Sequence, residues 1–187
     1  MKKFLLSAAI LFSASFIFTA CEKEKDNEKP VIELSGPEEG ATLFIGHDVH
    51  FQVTLSDNEG LKSYKVNIHE NMSNPHTHKS ATRHEAGDSV YFEKTWTEAD
   101  FQKIAQTKGK TLEPIQGMKS KNIHHHLIEI PETVGGKPVR EGNYHFMIYC
   151  TDINGNESFE SRNVVIRRPK EGEVHDHDHD HDHHHHH

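Results

Sequence analysis

Cysteine and tryptophan are scarce in this sequence, and several catalytic motifs are absent from it. The 187 residues include two cysteines and one tryptophan. Two cysteines cannot form a disulfide scaffold or a cysteine-rich zinc module. The sequence also has no Gly-rich phosphate loop, no His-Glu-x-x-His motif and no Gly-x-Ser-x-Gly turn. These absences argue against nucleotide binding, zinc-protease chemistry and α/β-hydrolase chemistry.

Basic residues are also in the minority. The chain has 21 Lys and Arg against 29 Asp and Glu, which gives a net charge of −8 with histidine neutral. Because no Lys/Arg-rich stripe is present, nucleic acid is not expected as a partner. The length predicts one domain of ordinary size and excludes a large multi-domain enzyme.

The long apolar run of the sequence lies at its N-terminus. Two lysines precede an apolar stretch over residues 4–20, which is too short and too rich in serine for a transmembrane span. This pattern is typical of a secretory signal. Its end, Phe-Thr-Ala-Cys at residues 18–21, resembles the bacterial lipobox, although Phe18 stands where Leu is usual. The resemblance implies a lipoprotein signal peptide over residues 1–20 and acylation of Cys21, the alternative being an ordinary signal peptide.

Residues 21–29 are expected to form a lipidated cysteine and a charged tether. Each acyl chain contributes about 0.8 kcal/mol per buried CH₂, so an acylated Cys21 would hold a soluble domain on a membrane. The charged residues after Cys21 resemble the surface-export signal of Bacteroidota lipoproteins. This resemblance implies a Gram-negative outer-membrane lipoprotein, on either the surface-exposed or the periplasmic face. Cys150 falls in an apolar run and is predicted to be core.

Between these tails the hydrophobic pattern has a period of two. Apolar residues alternate with polar ones over residues 49–55, which predicts a half-buried strand. Further strands are predicted at residues 64–68, 89–96, 123–130, 144–150 and 163–167. About seven short strands with turns between them indicate an all-β fold, an Ig-like antiparallel β-sandwich, over residues 30–168. One short inserted helix is predicted from Thr97 to Lys108, because Thr97 can cap it and Phe101, Ile104 and Ala105 share one face.

Two segments carry a more specific resemblance. Residues 30–68 resemble the opening strands of bacterial Ig-like domains, and residues 142–156 resemble their closing hairpin, G-x-Y…D-x-x-G-N. With the lipobox and the segment at residues 124–131, the chain resembles an uncharacterised Bacteroidota lipoprotein family with an Ig-like domain of unknown function. The resemblance implies the fold and an envelope location but no activity. It also implies that Tyr144 braces the corner at the start of its strand.

Histidine is the residue that the chain has in excess, with 19 copies. Neutral imidazole is a common ligand for zinc, copper and nickel. In an Ig-like sandwich the strand that ends at His69 and the strand that starts at His145 are antiparallel neighbours, and both side chains point outward. His76 and His78 lie in the segment that follows the first of these strands, and this segment begins at the same edge of the sheet. We therefore expect a site for zinc, or another divalent transition metal, at His69, His76, His78 and His145, the alternative being separate solvated histidines.

His124, His125 and His126 are a candidate second metal site. Counting back along the strand from its apolar end places His124 and His126 on the inward face and His125 on the outward face. The triplet is expected near the start of its strand, away from the first site, unless the insertion at residues 89–121 folds back to join them. Semi-buried structural histidines are the alternative. His50 is expected to face solvent.

The C-terminal tail, residues 169–187, is predicted to be disordered. From His175 onward it alternates His with Asp and ends in five histidines, so it has nothing to pack. It is expected to collect divalent transition metals weakly and to release them below pH ~6, when imidazole becomes protonated. A purification tag is the alternative. The expected collector residues are His175, His177, His179, His181 and His183.

Acidic and amide residues form two turns that are expected at the opposite end of the sandwich. They are Asp57-Asn58-Glu59 and Asp152-x-Asn154-x-Asn156. Such residues supply the oxygen ligands that calcium prefers. They also build tight turns without an ion, and this turn interpretation is preferred, so calcium is not expected.

The sequence therefore predicts a membrane-anchored envelope lipoprotein that scavenges, buffers or delivers a divalent transition metal, zinc being favoured. An envelope protein or a transporter would be its partner. The alternative is a structural or adhesive Ig-like module that binds protein or glycan, and an exposed Trp96 would favour a glycan. An enzyme is not expected. A metallo-hydrolase would need a carboxylate base near an open metal position, and Glu70 is the only obvious candidate.

Overall fold

The structure, a computed structural model, describes residues 26–71 and 89–173. The predictions for the signal peptide, Cys21, His76, His78 and the collector histidines of the tail lie outside these residues. Within the described ranges, no helix has the length and apolar character needed to cross a membrane.

Strands dominate the described chain, and one helix interrupts them. The elements are β1 (Val31–Gly36), β2 (Thr42–Phe44), β3 (Asp48–Ser56), β4 (Leu61–Glu70), β5 (Lys94–Thr97), α1 (Glu98–Thr107), β6 (Ser120–Glu129), β7 (Thr133–Val134), β8 (Lys137–Pro138), β9 (Gly142–Asp152) and β10 (Glu157–Arg167).

The strands form two principal sheets. One has the order β1-β3-β6, and the other has the order β2-β10-β9-β4-β5, while β7 and β8 form a small hairpin. All neighbours in the two sheets are antiparallel except β2 and β10, which are parallel. The order β4-β9-β10 is the C-F-G arrangement of an Ig sandwich. The predicted all-β, Ig-like sandwich is confirmed.

The core lies between the two sheets and follows the predicted alternation. In β4, Tyr64, Val66 and Ile68 are buried, and the residues between them are partly exposed. Cys150 of β9 is fully buried, and burial raises the pKa of its thiol to about 12. Trp96 is only 1% exposed and packs against Phe92, with ring centroids 6.0 Å apart. Cys150 and Trp96 are therefore core residues.

The inserted helix begins where the sequence predicts. The Thr97 side chain accepts a hydrogen bond from the Asp100 backbone, and the Asp100 side chain accepts one from the Thr97 backbone, which forms a capping box. Phe101 and Ala105 of α1 are fully buried. The Phe101 ring stacks on the Phe51 ring of β3 with 6.4 Å between centroids. The helix thus contributes to the core beneath β3 and β6.

Tyr144 fixes the start of β9, as the Ig resemblance implies. Its hydroxyl donates a hydrogen bond of 2.7 Å to the carbonyl oxygen of Arg140, four residues upstream. The backbone N–H of Phe92 donates to the same hydroxyl at 3.3 Å. This tyrosine corner holds the strand segment that carries the neighbouring His145.

A β-bulge in β6 corrects the predicted orientation of the histidine triplet. Phe51 pairs with His125 and Val49 pairs with Ile128, so one residue of β3 lies opposite two residues of β6. The extra residue reverses the alternation, and counting back from the apolar end of β6 therefore gives the wrong face. His124 and His126 are exposed and His125 is buried, the opposite of the prediction. The triplet also lies in mid-strand, because β6 begins at Ser120.

Candidate metal centre

Three exposed histidines come together on the outer face of the β1-β3-β6 sheet. They are His50 of β3 and His124 and His126 of β6, and we refer to them as the three-histidine cluster. Each offers one ring nitrogen, and these nitrogens all lie within 4.8 Å of one another. The strands impose the outward orientation, because the alternate residues Phe51 and His125 point into the core.

The rings of the three-histidine cluster are in direct contact. The Nε2 atoms of His50 and His124 are 2.9 Å apart. The rings of His50 and His126 are stacked, with centroids 5.2 Å apart and planes at 13°. Phe51 pairs with His125, and this register continued by one residue places His126 opposite His50 across the strand pair, which explains the stacking. The cluster is thus a product of the backbone register.

The spacing of the nitrogens suits a tetrahedral metal ion. Zinc–nitrogen bonds of about 2.0–2.1 Å place two ligands of one tetrahedron about 3.3 Å apart. The 2.9 Å separation of the His50 and His124 nitrogens is within a few tenths of an ångström of this value. Without a metal, one of these nitrogens carries a proton and donates a hydrogen bond to the other; with a metal bound, that ring would carry its proton on Nδ1 instead. Three protein ligands leave the fourth position open.

Asp48 supplies a carboxylate beside the cluster. Its Oδ2 atom lies 3.4 Å from Nδ1 of His126, and both side chains are about half exposed. Because an ionised carboxylate only accepts hydrogen bonds, it favours the tautomer of His126 that carries its proton on Nδ1. Nε2 then keeps its lone pair for a metal, which is the arrangement by which an outer carboxylate orients a histidine ligand.

The electrostatics of the cluster favour neutral imidazole. Burial and then the neighbouring rings of His124 and His126 lower the pKa of His50 below its ordinary value. A metal ligand must be neutral imidazole, so this shift favours metal binding at neutral pH. Because protonated imidazole cannot bind a metal, a bound metal would be released in acid.

His125 does not belong to the cluster. It is 8% exposed and packs its ring against Phe51 and Phe101, with centroids 5.0 and 4.7 Å away. Burial lowers its pKa to about 4, and its Nε2 atom has no hydrogen-bond partner within the described part of the chain. The side chain points to the opposite face of β6 from His124 and His126. Its surroundings identify it as a core residue.

His69 and His145 are cross-strand neighbours, as the sequence predicts. They pair directly between β4 and β9, and their rings are 5.4 Å apart in an edge-to-face arrangement. Nδ1 of His69 makes a short hydrogen bond to Oδ1 of Asn67. An amide oxygen only accepts, so Nε2 of His69 is left as an acceptor for a metal. His76 and His78 lie outside the described residues, and the four-histidine site stays a prediction.

The two histidine groups occupy different faces. His69 and His145 point outward from the five-stranded sheet, whereas the three-histidine cluster points outward from the three-stranded sheet, with the core between them. They therefore do not join into one site. Sequence reasoning placed His50 at the surface but left it out of the site. Its register against β6 is the signal that identifies it, and local sequence pattern does not give that register.

Comparison with known protein families identifies a match. The model of a family described as "Domain of unknown function (DUF4625)" matches residues 19–167. The matched range includes Cys21, the tether and every strand of the sandwich, and it ends with β10. No curated protein matches the chain.

Proposed function

The chain belongs to the DUF4625 family, and we propose that this member is a membrane-anchored envelope protein that binds a divalent transition metal, with zinc favoured. Its role would be that of a metal scavenger, buffer or delivery protein. The observation that carries the proposal is the three-histidine cluster, whose ring nitrogens lie within 4.8 Å of one another.

The chemistry of the cluster selects the class of metal. Imidazole suits zinc, copper and nickel, whereas magnesium and calcium prefer oxygen ligands. All three ligands project from paired strands, so the site is held by the sheet and not by a loop. Its exposure and its open fourth position suit an ion that is exchanged with a partner. These features favour metal buffering or delivery over a structural zinc site.

The cellular location is proposed from the N-terminal sequence. The lipobox-like residues before Cys21 support a lipid anchor in a Gram-negative outer membrane, and the family match begins at Thr19, so it includes this cysteine. In this arrangement the His/Asp-rich tail binds metal ions with low affinity. The three-histidine cluster and the paired His69 and His145 bind them more tightly. An envelope protein or a transporter would receive the metal.

The rival functions receive less support from the described residues. Trp96, whose exposure would favour a glycan-binding module, is buried. Glu70, the base considered for a metallo-hydrolase, is on β4, in a different sheet from the three-histidine cluster, and Asp48, the carboxylate beside the cluster, contacts the outer nitrogen of His126. We therefore propose no catalytic role.

Zinc titration of the chain shortened at residue 174 tests the proposal without the tail. We expect sub-micromolar binding at the cluster. In a chain that carries His69→Asn, which disables the other histidine group, we expect His50→Asn with His124→Asn to weaken binding at least 100-fold, since two of three ligands are removed. His47→Asn is a matched control, because His47 hydrogen-bonds to the Ile45 carbonyl and is not part of the cluster. Equal zinc affinity in the double variant and the parent would contradict the proposal.

A further inference from the structure

Three carboxylates from separate parts of the chain meet at the end of the sandwich opposite His69 and His145. Asp26 precedes β1, Asp57 follows β3 and Asp152 ends β9. One oxygen from each lies within 4.8 Å of the others. Asp57 is 8% exposed and Asp152 is fully buried, so two of the three carboxylates are shielded from water.

Hydrogen bonds within the turns explain part of this arrangement. Oδ1 of Asp57 accepts from the backbone N–H groups of Glu59 and Gly60, at 3.0 and 2.6 Å. Oδ1 of Asp152 accepts from the N–H groups of Asn154 and Asn156, at 2.9 and 2.7 Å. These are the bonds that Asp makes in tight turns, and they account for the turn interpretation of both segments.

The turn interpretation does not account for the second oxygen of Asp57. Oδ2 is buried and has no hydrogen-bond partner in the described part of the chain. A buried carboxylate oxygen without a partner is costly, and other carboxylates close to it increase the cost through repulsion. A cation bound among the three carboxylates would remove both penalties.

The surrounding groups are rich in oxygen. Asn154 donates its amide to Oε2 of Glu59 at 2.9 Å, so a further carboxylate borders the cluster. The Asn156 amide donates to the backbone oxygens of Asp26 and Glu28, at 3.1 and 2.9 Å, and holds the segment before β1 against the β9–β10 turn. Calcium takes six to eight oxygen ligands from carboxylates, amides and backbone carbonyls.

We propose that Asp26, Asp57 and Asp152 bind a calcium ion. The ion joins the segment before β1 to the β3–β4 and β9–β10 turns, and so it fixes the sandwich to the segment that leads toward its N-terminus. The ligand set contains no imidazole or thiolate, so this site selects a different ion from the three-histidine cluster. An affinity in the range of extracellular calcium modules, about 10⁻⁴–10⁻³ M, is expected.

Thermal unfolding of the full chain with added calcium chloride tests this proposal. We expect 10 mM calcium to raise Tm by several degrees relative to the chelator-treated protein, because only the folded state assembles the three carboxylates. Asp57→Asn should abolish the rise. Glu33→Gln, which neutralises an exposed carboxylate in β1, should retain it and controls for general charge effects and for ion binding by the tail.

A second variant and a second readout cover the case in which Asp57→Asn does not fold. Asp26→Asn alters the segment outside the strands. It should raise the calcium concentration that gives half of the Tm increase at least tenfold. Calcium should also slow cleavage after Glu28 by a glutamyl endopeptidase. A wild-type Tm that does not respond to calcium, or an undiminished response in Asp26→Asn, would overturn the proposal whatever the zinc titration shows.

Discussion

His125 is expected to make the stability of the domain sensitive to acid. Its ring is buried against Phe51 and Phe101, and burial lowers its pKa from 6.5 to about 4. The unfolded chain exposes the ring and restores the ordinary value. In acid the unfolded state therefore binds a proton at this ring that the folded state does not bind. The stabilisation is complete above pH 6.5 and is lost as the pH falls toward 4.

The size of the effect follows from the two pKa values of His125. With 6.5 in the unfolded chain and about 4 in the folded one, lowering the pH from 7.5 to 5.0 costs about 2 kcal/mol. This loss is a substantial part of the 5–15 kcal/mol that stabilises a typical domain. The change should be visible in an ordinary denaturation experiment.

Urea unfolding of the protein and of His125→Leu, at both pH values and with a chelator present, measures this contribution. Leucine fills the site between the two phenylalanine rings, does not titrate and removes the unpaired Nε2 atom. We expect the wild-type protein to lose about 2 kcal/mol more than the variant between pH 7.5 and 5.0. At pH 7.5 the variant loses the unpaired Nε2 atom but also the acceptor of the Leu127 N–H, 3.4 Å from Nδ1 of His125, so the change with pH is the quantity to compare. Equal losses in the two proteins would refute the burial argument.

Four further predictions follow from single features of the structure. Tyr144→Phe leaves the Arg140 carbonyl and the Phe92 N–H without their partner, and urea unfolding should show a loss of about 1–3 kcal/mol. Thr97→Ala breaks the capping box of α1 and should cost about 0.5–2 kcal/mol in the same assay, whereas an unchanged midpoint would contradict this role. The Cys150 thiol, whose pKa burial raises to about 12, should react with a thiol reagent in urea but only slowly in the folded protein. Zinc held by the three-histidine cluster should be released to an indicator dye below pH ~6, and retention at pH 4.5 would contradict imidazole ligation.

Most of the sandwich can be predicted because its central strands alternate cleanly. In β3 and β4 the inward positions are apolar and the outward positions are polar, and in β9 the inward residues from Tyr144 to Cys150 are apolar, so the local pattern carries both the strand and its face. β10 was predicted only from Asn163, although it begins at Glu157. Its first half has no buried residue and is held by backbone pairing with β9, which leaves no hydrophobic signal in the sequence.

The orientation of the histidine triplet could not be predicted from local pattern. Leu127 and Ile128 are adjacent and both buried, so the alternation changes phase between them. A sequence with two consecutive apolar residues does not indicate whether a bulge separates them. The pairing of β6 with β3 decides the question, and the same pairing brings His50 against His124, 74 positions away.

At the two ends of the sandwich, the order of the strands predicts which residues are neighbours, but it does not predict how their side chains pack. The neighbourhood of His69 and His145 follows from the antiparallel order of two Ig strands, and it was predicted. The Asp57 and Asp152 turns were likewise placed together. The burial of Oδ2 of Asp57 and the approach of Asp26 depend on how the segment before β1 packs, and turn composition does not encode this.

The most direct test of transition-metal binding is anomalous diffraction at the zinc edge from crystals of the protein equilibrated with zinc. The three-histidine cluster predicts an anomalous peak about 2.0–2.1 Å from ring nitrogens of His50, His124 and His126. The side-chain rotations needed from the observed arrangement are small, since the His50 and His124 nitrogens are already 2.9 Å apart. A zinc-loaded crystal with no peak among these three rings would contradict the proposed function.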